Sequence, residues 1–143
     1  MARLSGVARA LVLDAEGLVK VAGGNAVARS LFYDARQANG RIVTAASTLT
    51  EVLRGSPRDA PVYRVLKSVK VEPIDTAKAQ FAGELLGRTG LSGHSCALDA
   101  LLAAVALTQP RPVVILTSDS KDLSMLTEEP GRPSRERVAI IRI

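Results

Sequence analysis

Cysteine and aromatic residues are scarce in this sequence of 143 residues. The single cysteine, Cys96, has no partner for an internal disulfide, which favours a reducing, cytoplasmic location. Tryptophan is absent and aromatic residues make up 3% of the chain, so stacking platforms for single-stranded nucleic acid are nearly missing. We therefore expect any contact with nucleic acid to be made mainly through its phosphate backbone.

Histidine is equally scarce, and this excludes several kinds of catalytic site. With His94 as the only histidine and Cys96 as the only cysteine, the chain has no credible Ser/His/Asp or Cys/His pairing and no ligand set for zinc. A phosphate loop of the G-x-x-x-x-G-K-S/T type is also missing. We interpret His94, which follows Gly93, as a polar residue at the start of a helix.

Long apolar runs are absent as well. No run approaches the ~20 residues needed to span a bilayer, so we expect no membrane partner. The segment Met1-Ala2-Arg3 leads within a few residues into a strand-like run and not into a signal peptide with a small-residue cleavage site. This pattern, like the single cysteine, predicts a cytoplasmic protein.

Apolar content and positive charge are what the chain does have. Hydrophobic residues make up 47% of it, enough for a substantial core, and we expect residues 1–143 to form one domain. The net charge of +5 predicts a surface that attracts polyanions, and arginine suits bidentate contacts with phosphate. The alternative is that the abundance of Ala, Arg, Gly and Val reflects codon bias alone.

Apolar runs of strand length alternate with helical segments along the chain. The predicted strands are residues 7–13, 41–45, 69–74, 113–116 and 138–143. The predicted helices are residues 15–21, 26–39, a segment after Ser47, 61–68, 76–88, the helix that carries Asp99, and 119–125. This alternation predicts an α/β fold with a mostly parallel sheet that is covered on both faces.

Three polar residues stand where helix N-caps are expected, namely Asn25, Ser47 and Asp75. Two helices also have a predicted apolar face. In the helix after Asn25, this face consists of Val27, Leu31 and Ala35. In the Asp99 helix, a broad apolar stripe consists of Leu98, Leu101, Leu102 and Val105, while Ala103 and Ala106 share a flank with Asp99.

Several acids stand at positions that need an explanation. Asp14 and Asp119 each follow an apolar strand, where open α/β sheets place their sites, although each is also a reasonable helix N-cap. Asp122 then completes the first turn of the helix after Asp119. Asp99 interrupts an apolar helix, and a buried carboxylate is costly unless it is paired or binds a metal. Glu51, taken alone, is best interpreted as part of a solvated helix face.

If these acids point into one cleft, they can hold a metal ion. An all-carboxylate cluster selects Mg²⁺ or Mn²⁺, because these hard cations prefer oxygen ligands. Carboxylates that converge also raise one another's pKa unless a cation neutralises them. The sequence therefore contains candidate ligands for such a site.

Four segments resemble the PIN-domain family in order and spacing, over essentially the whole chain. They are LVLDAEGL with Asp14, TLTEVLRG with Glu51, LDALLAAVAL with Asp99 and LTSDSKDL with Asp119. The resemblance is closest to the small, stand-alone VapC-type toxins. It implies a three-layer α/β/α sandwich with a central, mostly parallel sheet. It further implies a Mg²⁺- or Mn²⁺-dependent endoribonuclease, the toxin of a type II toxin–antitoxin pair, which is usually a homodimer held inactive by a small antitoxin.

The resemblance also assigns roles to residues. The family's acidic cluster is matched by Asp14, Glu51, Asp99 and Asp119. Thr117 matches its usual Thr or Ser two residues before the last acid. Glu16 departs from the pattern, since a small or hydroxylic residue is usual there, and it adds negative charge or a further ligand. Lys121 stands where an acid is common, which leaves the binding of a second metal open.

These roles lead to a hypothesis for the reaction. Asp14, Asp99 and Asp119 would be metal ligands, and Glu51 would be a further ligand or would orient the attacking water. One metal would activate a water for in-line attack on a phosphodiester, and a second would stabilise the leaving oxygen. Surface arginines are candidate phosphate contacts, among them Arg54, Arg88 and Arg132.

Two other interpretations stay open. The first is a PIN-like module that binds RNA or a protein partner and has lost catalysis, as Glu16 and Lys121 would suggest. The second is a phosphatase of the haloacid-dehalogenase type, in which Asp14 and Glu16 would resemble the Asp-x-Asp motif and Thr117 or Ser118 the strand-end hydroxyl. The phosphatase also needs a lysine and a paired acidic site late in the chain, which Lys121 and Asp122 supply poorly.

Overall fold

The computed structural model describes residues 8–143, in which strands and helices alternate. The strands are β1 (Ala10–Leu13), β2 (Arg41–Ala45), β3 (Lys70–Glu72), β4 (Val113–Thr117) and β5 (Ala139–Arg142). The α-helices are α1 (Ala15–Ala22), α2 (Ala26–Gln37), α3 (Leu49–Val52), α4 (Ala60–Leu66), α5 (Thr76–Thr89), α6 (Gly93–Leu107) and α7 (Lys121–Leu126). Short 3-10 turns lie at Ala46–Thr48, Pro57–Asp59 and Ser134–Glu136.

The strands form one sheet in the order β3-β2-β1-β4-β5, and every neighbouring pair is parallel. The chain moves outward from β1 through β2 to β3 and then returns to place β4 on the other side of β1. The direction of winding therefore reverses between β1 and β4, where Leu13 pairs with Leu116. In sheets of this kind, the carboxyl ends of the two strands at the reversal border a crevice.

Helices cover both faces of the sheet. Leu11 and Leu13 of β1 point into the core beneath α1, α2 and α4. Ala10 and Val12 point into the opposite core, beneath α5, α6 and α7. Successive side chains of a strand alternate between faces, so each buried strand contributes to both cores. The predicted three-layer α/β/α sandwich is confirmed.

The strand predictions are confirmed in position but not in every bound. β3 is shorter than the predicted 69–74, because the Val69 amide donates back to the Leu66 carbonyl at 3.1 Å and does not join the sheet. β5 is also shorter than the predicted 138–143, and β4 extends one residue further, to Thr117. β1 begins at Ala10, and the predicted start at Val7 lies outside the described residues.

Two of the three predicted N-caps are confirmed. The side chains of Asn25 and Asp75 accept hydrogen bonds from amides in the first turns of α2 and α5, at 3.0 and 2.8 Å. Ser47 is not a cap. It lies within the 3-10 turn that precedes α3, and among the described residues its buried hydroxyl has no hydrogen-bond partner. The segment after β2 is therefore a tight turn followed by a very short helix.

The helix bounds differ from the prediction by one to three residues, since helix ends depend on local hydrogen bonds that propensity does not determine. α1 ends at Ala22, and α2 ends at Gln37 because Asn39 has a positive φ of 56°. α4 is preceded by a 3-10 turn and ends at Leu66. α7 begins two residues after Asp119 and ends at Leu126.

The predicted apolar faces are partly wrong. Val27 is 51% exposed, and α2 instead buries Ala28, Phe32 and Ala35. Leu98 of α6 is 37% exposed, whereas the buried residues of this helix are Cys96, Ala100 and residues 102–106. The second half of α6 is buried on nearly all sides, because it packs against both α5 and the sheet.

α5 and α6 meet at a bend of 120°. Among the described residues no single helix is long and apolar enough to cross a membrane, although this bent pair would qualify by length and composition when taken together. Most of the apolar residues of α6 are buried within the fold. They face α5 and the sheet, where they complete one of the two cores.

Candidate active site

The predicted acids lie around the crevice between β1 and β4. Asp14 directly follows β1, and Asp119 follows β4 after one intervening residue, Ser118. The two strand ends are joined at this point, since the Asp14 amide donates to the carbonyl of Leu116 at 3.4 Å. The topology therefore places these two acids where ligands bind in open α/β sheets.

Asp14 is the N-cap of α1 and is also one of the four predicted site acids, Asp14, Glu51, Asp99 and Asp119, which we call the acidic group. Its Oδ1 accepts a hydrogen bond from the Gly17 amide at 2.7 Å, so the carboxylate is held over the first turn of α1. The two interpretations of Asp14 from the sequence are therefore compatible. A carboxylate has two oxygens, and only one of them is used as the cap.

Two residues that the sequence did not single out for this purpose fix the position of Asp14. Gly17 packs against the end of β4 so closely that a Cβ there would lie 2.6 Å from the carbonyl oxygen of Leu116. On the other side, the buried hydroxyl of Thr44 donates to the carbonyl of Leu13 at 2.7 Å. β1 is thereby tied to both neighbouring strands immediately before Asp14.

Thr117 shapes the loop that carries Asp119. Its hydroxyl donates to the Asp119 carbonyl at 3.0 Å and accepts from the Asp119 amide at 3.1 Å. The Asp119 side chain is exposed, and its Oδ1 accepts from the Lys121 amide at 3.2 Å. Asp119 therefore bonds to the first turn of α7 without being its N-cap, which is Ser120.

Asp99 lies half-buried on α6, one turn after Cys96. The thiol of Cys96 donates to Oδ2 of Asp122 at 3.6 Å, so α6 and α7 are joined beside Asp99. Asp122 is half-buried as well. The sequence signal for this contact was weak, because a lone cysteine on an apolar helix is most often a core residue.

Glu51 and Glu16 are the exposed acids on the α1 and α3 side of the crevice. Glu51 lies on the short helix α3, which contacts α1. Arg54 does not neutralise Glu51 by an ion pair. Its guanidinium instead donates to three backbone carbonyls of α3 and its end, including that of Glu51 at 3.0 Å.

The charges of these acids act on one another. Burial raises the pKa of Asp14, and the charge of Glu16 raises it further, while the nearby Thr117 hydroxyl and the hydrogen bond from the Gly17 amide lower it. The net effect is a raised pKa for Asp14. Burial is also the main cause of the raised pKa of Asp99, followed by the charges of Asp122, Asp14 and Asp119.

The pKa of Glu51 is also raised, by burial and by the charges of some of the same acids. Although Glu51 is exposed overall, partial burial of its carboxyl group is the main cause of its raised pKa, and the charges of Asp99, Asp14 and Glu16 raise it further. Asp99 and Glu51 therefore both respond to the charge of Asp14, and Asp99 also responds to that of Asp119. The four predicted site acids are therefore linked by the effect of their charges on the pKa values of Asp99 and Glu51, and their assignment as a catalytic site stays a prediction.

The donor set of this group fits a hard cation. All its members are carboxylates, which Mg²⁺ and Mn²⁺ prefer. Burial is the main cause of the raised pKa values of Asp14, Glu51 and Asp99, and neighbouring negative charge, which a cation would neutralise, raises them further. Within residues 8–143, however, no three His, Cys, Asp or Glu side chains are already arranged to hold a metal ion.

The three arginines that the sequence suggested as phosphate contacts are engaged elsewhere. Arg54 bonds to the backbone of α3. Arg88 donates to the carbonyls of Leu126 and Glu128 at 3.1 and 3.3 Å. Arg132 forms an ion pair with Glu129 at 3.3 Å. Their contacts within the fold do not favour a role in phosphate binding.

Comparison with solved structures identifies a relative in fold. This chain is similar to one chain of the crystal structure of VapBC2 from Rickettsia felis bound to a DNA fragment from their promoter, with a TM-score of 0.62 and 15% sequence identity. The match covers 92% of this chain and 98% of that chain. At this identity the likeness concerns the fold. No protein-family model matches the sequence. Among curated proteins the search found no match.

Proposed function

We propose that the chain is a Mg²⁺- or Mn²⁺-dependent endoribonuclease of the PIN type and acts as the toxin of a toxin–antitoxin pair. The observation that carries this proposal is the position of Asp14 and Asp119 after the adjacent ends of β1 and β4, together with Asp99 and Glu51, whose raised pKa values respond to the charge of Asp14. The similarity in fold to a chain of VapBC2 supports it. Phosphodiester hydrolysis is the reaction that such a carboxylate group performs with divalent metal.

Asp14, Asp99 and Asp119 are the residues that we assign as metal ligands, with Glu51 as a further ligand or the residue that orients water. The bound metal would supply a nucleophilic water and would stabilise charge on the phosphate. Asp14 is prepared for this role because the Gly17 amide occupies only its Oδ1, at 2.7 Å. Asp99 is half-buried on α6, and the charge of Asp122 on α7 acts on it.

Glu51 differs from the other members in its exposure, which suits contact with water and substrate. Its raised pKa makes its carboxylate a stronger base than an ordinary glutamate. We assign it to orienting the attacking water and accepting its proton at a carboxylate oxygen. Thr117 has a positioning role, because its hydroxyl holds the loop before Asp119 through two hydrogen bonds.

An antitoxin partner and a homodimer are part of the same proposal. The similar structure contains VapBC2 bound to promoter DNA. By that analogy, we propose that this chain binds a small antitoxin protein in the cytoplasm. Co-expression of the chain with the product of a short adjacent reading frame, followed by affinity purification and light scattering, tests this part. Recovery of the chain alone as a monomer would contradict it.

RNA cleavage by site variants tests the enzymatic proposal. Asp14→Asn should abolish metal-dependent cleavage, although asparagine can still cap α1. Asp75→Asn is a matched control, because Asp75 caps α5 through a similar hydrogen bond, at 2.8 Å, and is not in the acidic group. We expect Asp75→Asn to cleave like the wild type. Cleavage that persists in Asp14→Asn or in EDTA would refute the proposal.

A catalytically inert PIN-like module is the second candidate. One observation favours it, namely that no three potential ligands among the described residues are already arranged around a common point. The exposed Lys121 beside Asp119 points the same way, since it adds positive charge at the site. Calorimetric titration with Mn²⁺ separates the candidates. A nuclease should show a site of about micromolar to millimolar affinity that Asp99→Asn removes, and an inert module should show none.

A further inference from the structure

A groove of about 340 Å³ lies on the face of the sheet that α1, α2 and α4 cover. It is lined by the last residues of α1 and by residues of α2 and α4. Three of its lining residues are arginines, Arg29 and Arg36 from α2 and Arg64 from α4, and all three are exposed. No acidic residue lines this groove. It is therefore a concentrated patch of positive charge.

The three guanidinium groups are not neutralised within the fold. Among the described residues none of them forms an ion pair, unlike Arg41, which pairs with Glu72 at 3.1 Å. Arg29 is partly anchored, since its Nε donates to the Val21 carbonyl at 3.2 Å. This bond holds the guanidinium at the groove and leaves its terminal nitrogens for a ligand.

The chemistry of the groove suits a strand of nucleic acid. Guanidinium groups bind phosphate through paired N–H donors, and three of them can follow a phosphate backbone. Tyr33, also in the lining, is 52% exposed and offers an aromatic ring on which a base can stack. Ser68 adds a hydroxyl.

The groove lies within reach of the acidic group. α1 begins directly after its N-cap, Asp14, and its last residues, Val21 and Ala22, line the groove. Each residue of a helix rises about 1.5 Å, so the groove lies about 12 Å from Asp14 along the helix. A stacked strand advances about 3.4 Å per nucleotide, so about four nucleotides cover this distance. Arg29 and Arg36 lie two turns apart on α2, so they are separated by about 10 Å along the helix axis.

We propose that this arginine groove binds the single-stranded RNA substrate a few nucleotides from the bond that is cleaved. The proposal rests on the proposed function, because it takes RNA as the ligand. The arginines would hold successive phosphates and Tyr33 would stack with a base. Such contacts are independent of sequence, so they set affinity and register and do not select the target.

RNA binding in EDTA tests the groove without any need for catalysis. The probe is a fluorescent, unstructured RNA of about 12 nucleotides, followed by fluorescence polarisation. We expect R36Q/R64Q to bind at least about ten-fold more weakly than the wild type and to lower the salt slope by about 1.4, since each phosphate contact on a single strand contributes about 0.7. R36K/R64K keeps the charge without the paired donors and should lie between the two.

The matched control is R58Q/R135Q, which removes the same charge from two exposed arginines that lie outside the groove and, among the described residues, form no ion pair. We expect it to bind RNA with the salt slope of the wild type. Circular dichroism verifies that all variants are folded. Equal losses in both glutamine variants, or RNA binding that is unchanged in R36Q/R64Q, would overturn the proposal.

The two proposals fail in different ways. Groove-dependent RNA binding without cleavage in Mg²⁺ or Mn²⁺ would support the groove and refute the nuclease. Metal-dependent cleavage, together with full RNA affinity in R36Q/R64Q, would support the nuclease and refute the groove. Absence of any RNA binding by the wild type would overturn the groove proposal directly.

Discussion

Replacement of Gly17 by alanine tests how tightly the fold must hold α1 for Asp14 to be placed. A Cβ at position 17 would lie 2.6 Å from the carbonyl oxygen of Leu116 and 3.3 Å from its carbonyl carbon. These atoms belong to the backbone of a buried central strand, so they cannot move aside as a flexible side chain would. The first turn of α1 must shift away from β4, and Asp14 must shift with it.

The size of the effect follows from two opposing contributions. Overpacking of this kind costs about 1–3 kcal/mol. Alanine is a better helix former than glycine, which offsets about 0.5–1 kcal/mol. We expect a net loss of about 1–2 kcal/mol in the free energy of unfolding. A displaced Asp14 should also lower RNA cleavage by about ten-fold or more, because misplacement by about 1 Å can cost a hundred-fold.

The assays are urea unfolding in EDTA, followed by circular dichroism, and RNA cleavage in Mn²⁺. Gly83→Ala is the control, since Gly83 lies inside α5 and a Cβ there would meet no atom within 4 Å. It should stabilise the protein by about 0.5–1 kcal/mol and leave cleavage unchanged. If Gly17→Ala were as stable and as active as Gly83→Ala, the argument that β4 positions Asp14 through Gly17 would be refuted.

Three further predictions concern the strand ends and the charges at the site. Thr44→Val should lower the free energy of unfolding, measured in urea, by about 1–3 kcal/mol, because it removes the donor to the buried Leu13 carbonyl. Thr44→Ser keeps this donor and should keep most of the stability. Asp99→Asn should raise the stability of the metal-free protein at neutral pH by up to about 1 kcal/mol and abolish cleavage, since it removes a charge that its neighbours repel. The folded-state pKa values of Asp14, Glu51 and Asp99 are raised, so their contribution to stability should be complete below about pH 4 and fall as the pH rises through the raised values. Urea unfolding of the metal-free protein as a function of pH checks this. The prediction would be contradicted if the free energy of unfolding of the wild type, compared with that of Asp99→Asn, increased as the pH rose through this range.

Much of the architecture can be predicted from the sequence because its signals are local. The buried runs before Asp14 and Thr117 predict strands β1 and β4, and Asn25 and Asp75 mark the helix starts through their side-chain oxygens. Ser47 carries the same kind of signal and is not a cap. Whether a serine caps a helix depends on the turn geometry around it, which composition does not determine.

Exposure within a helix is less predictable than its position. Leu98 was expected in the apolar stripe of α6 and is 37% exposed, while the alanines and Val105 in the second half of that helix are fully buried. The reason is tertiary. α6 packs against both α5 and the sheet. Which of its residues are buried therefore depends on the space between these elements and not on hydrophobicity alone.

The sequence predicts which acids belong to the candidate site but not how they are arranged in space. Their proximity depends on the strand order, which brings the ends of β1 and β4 together. The contacts that support them cross between distant segments, such as that of Gly17 with Leu116 and that of Cys96 with Asp122. Neither contact has a local sequence signature.

The most direct test of the acidic group is an NMR titration of its carboxyl carbons in metal-free protein. The account predicts that the pKa of Asp99 is raised above its ordinary value of about 3.9, and that Asp122→Asn lowers it, because Asp122 contributes more to the shift than any other charge. Addition of Mg²⁺ should lower it further, since a cation favours the ionised form. An Asp99 that titrates in the ordinary range and responds to neither change would contradict the claim that these acids form one metal-binding group.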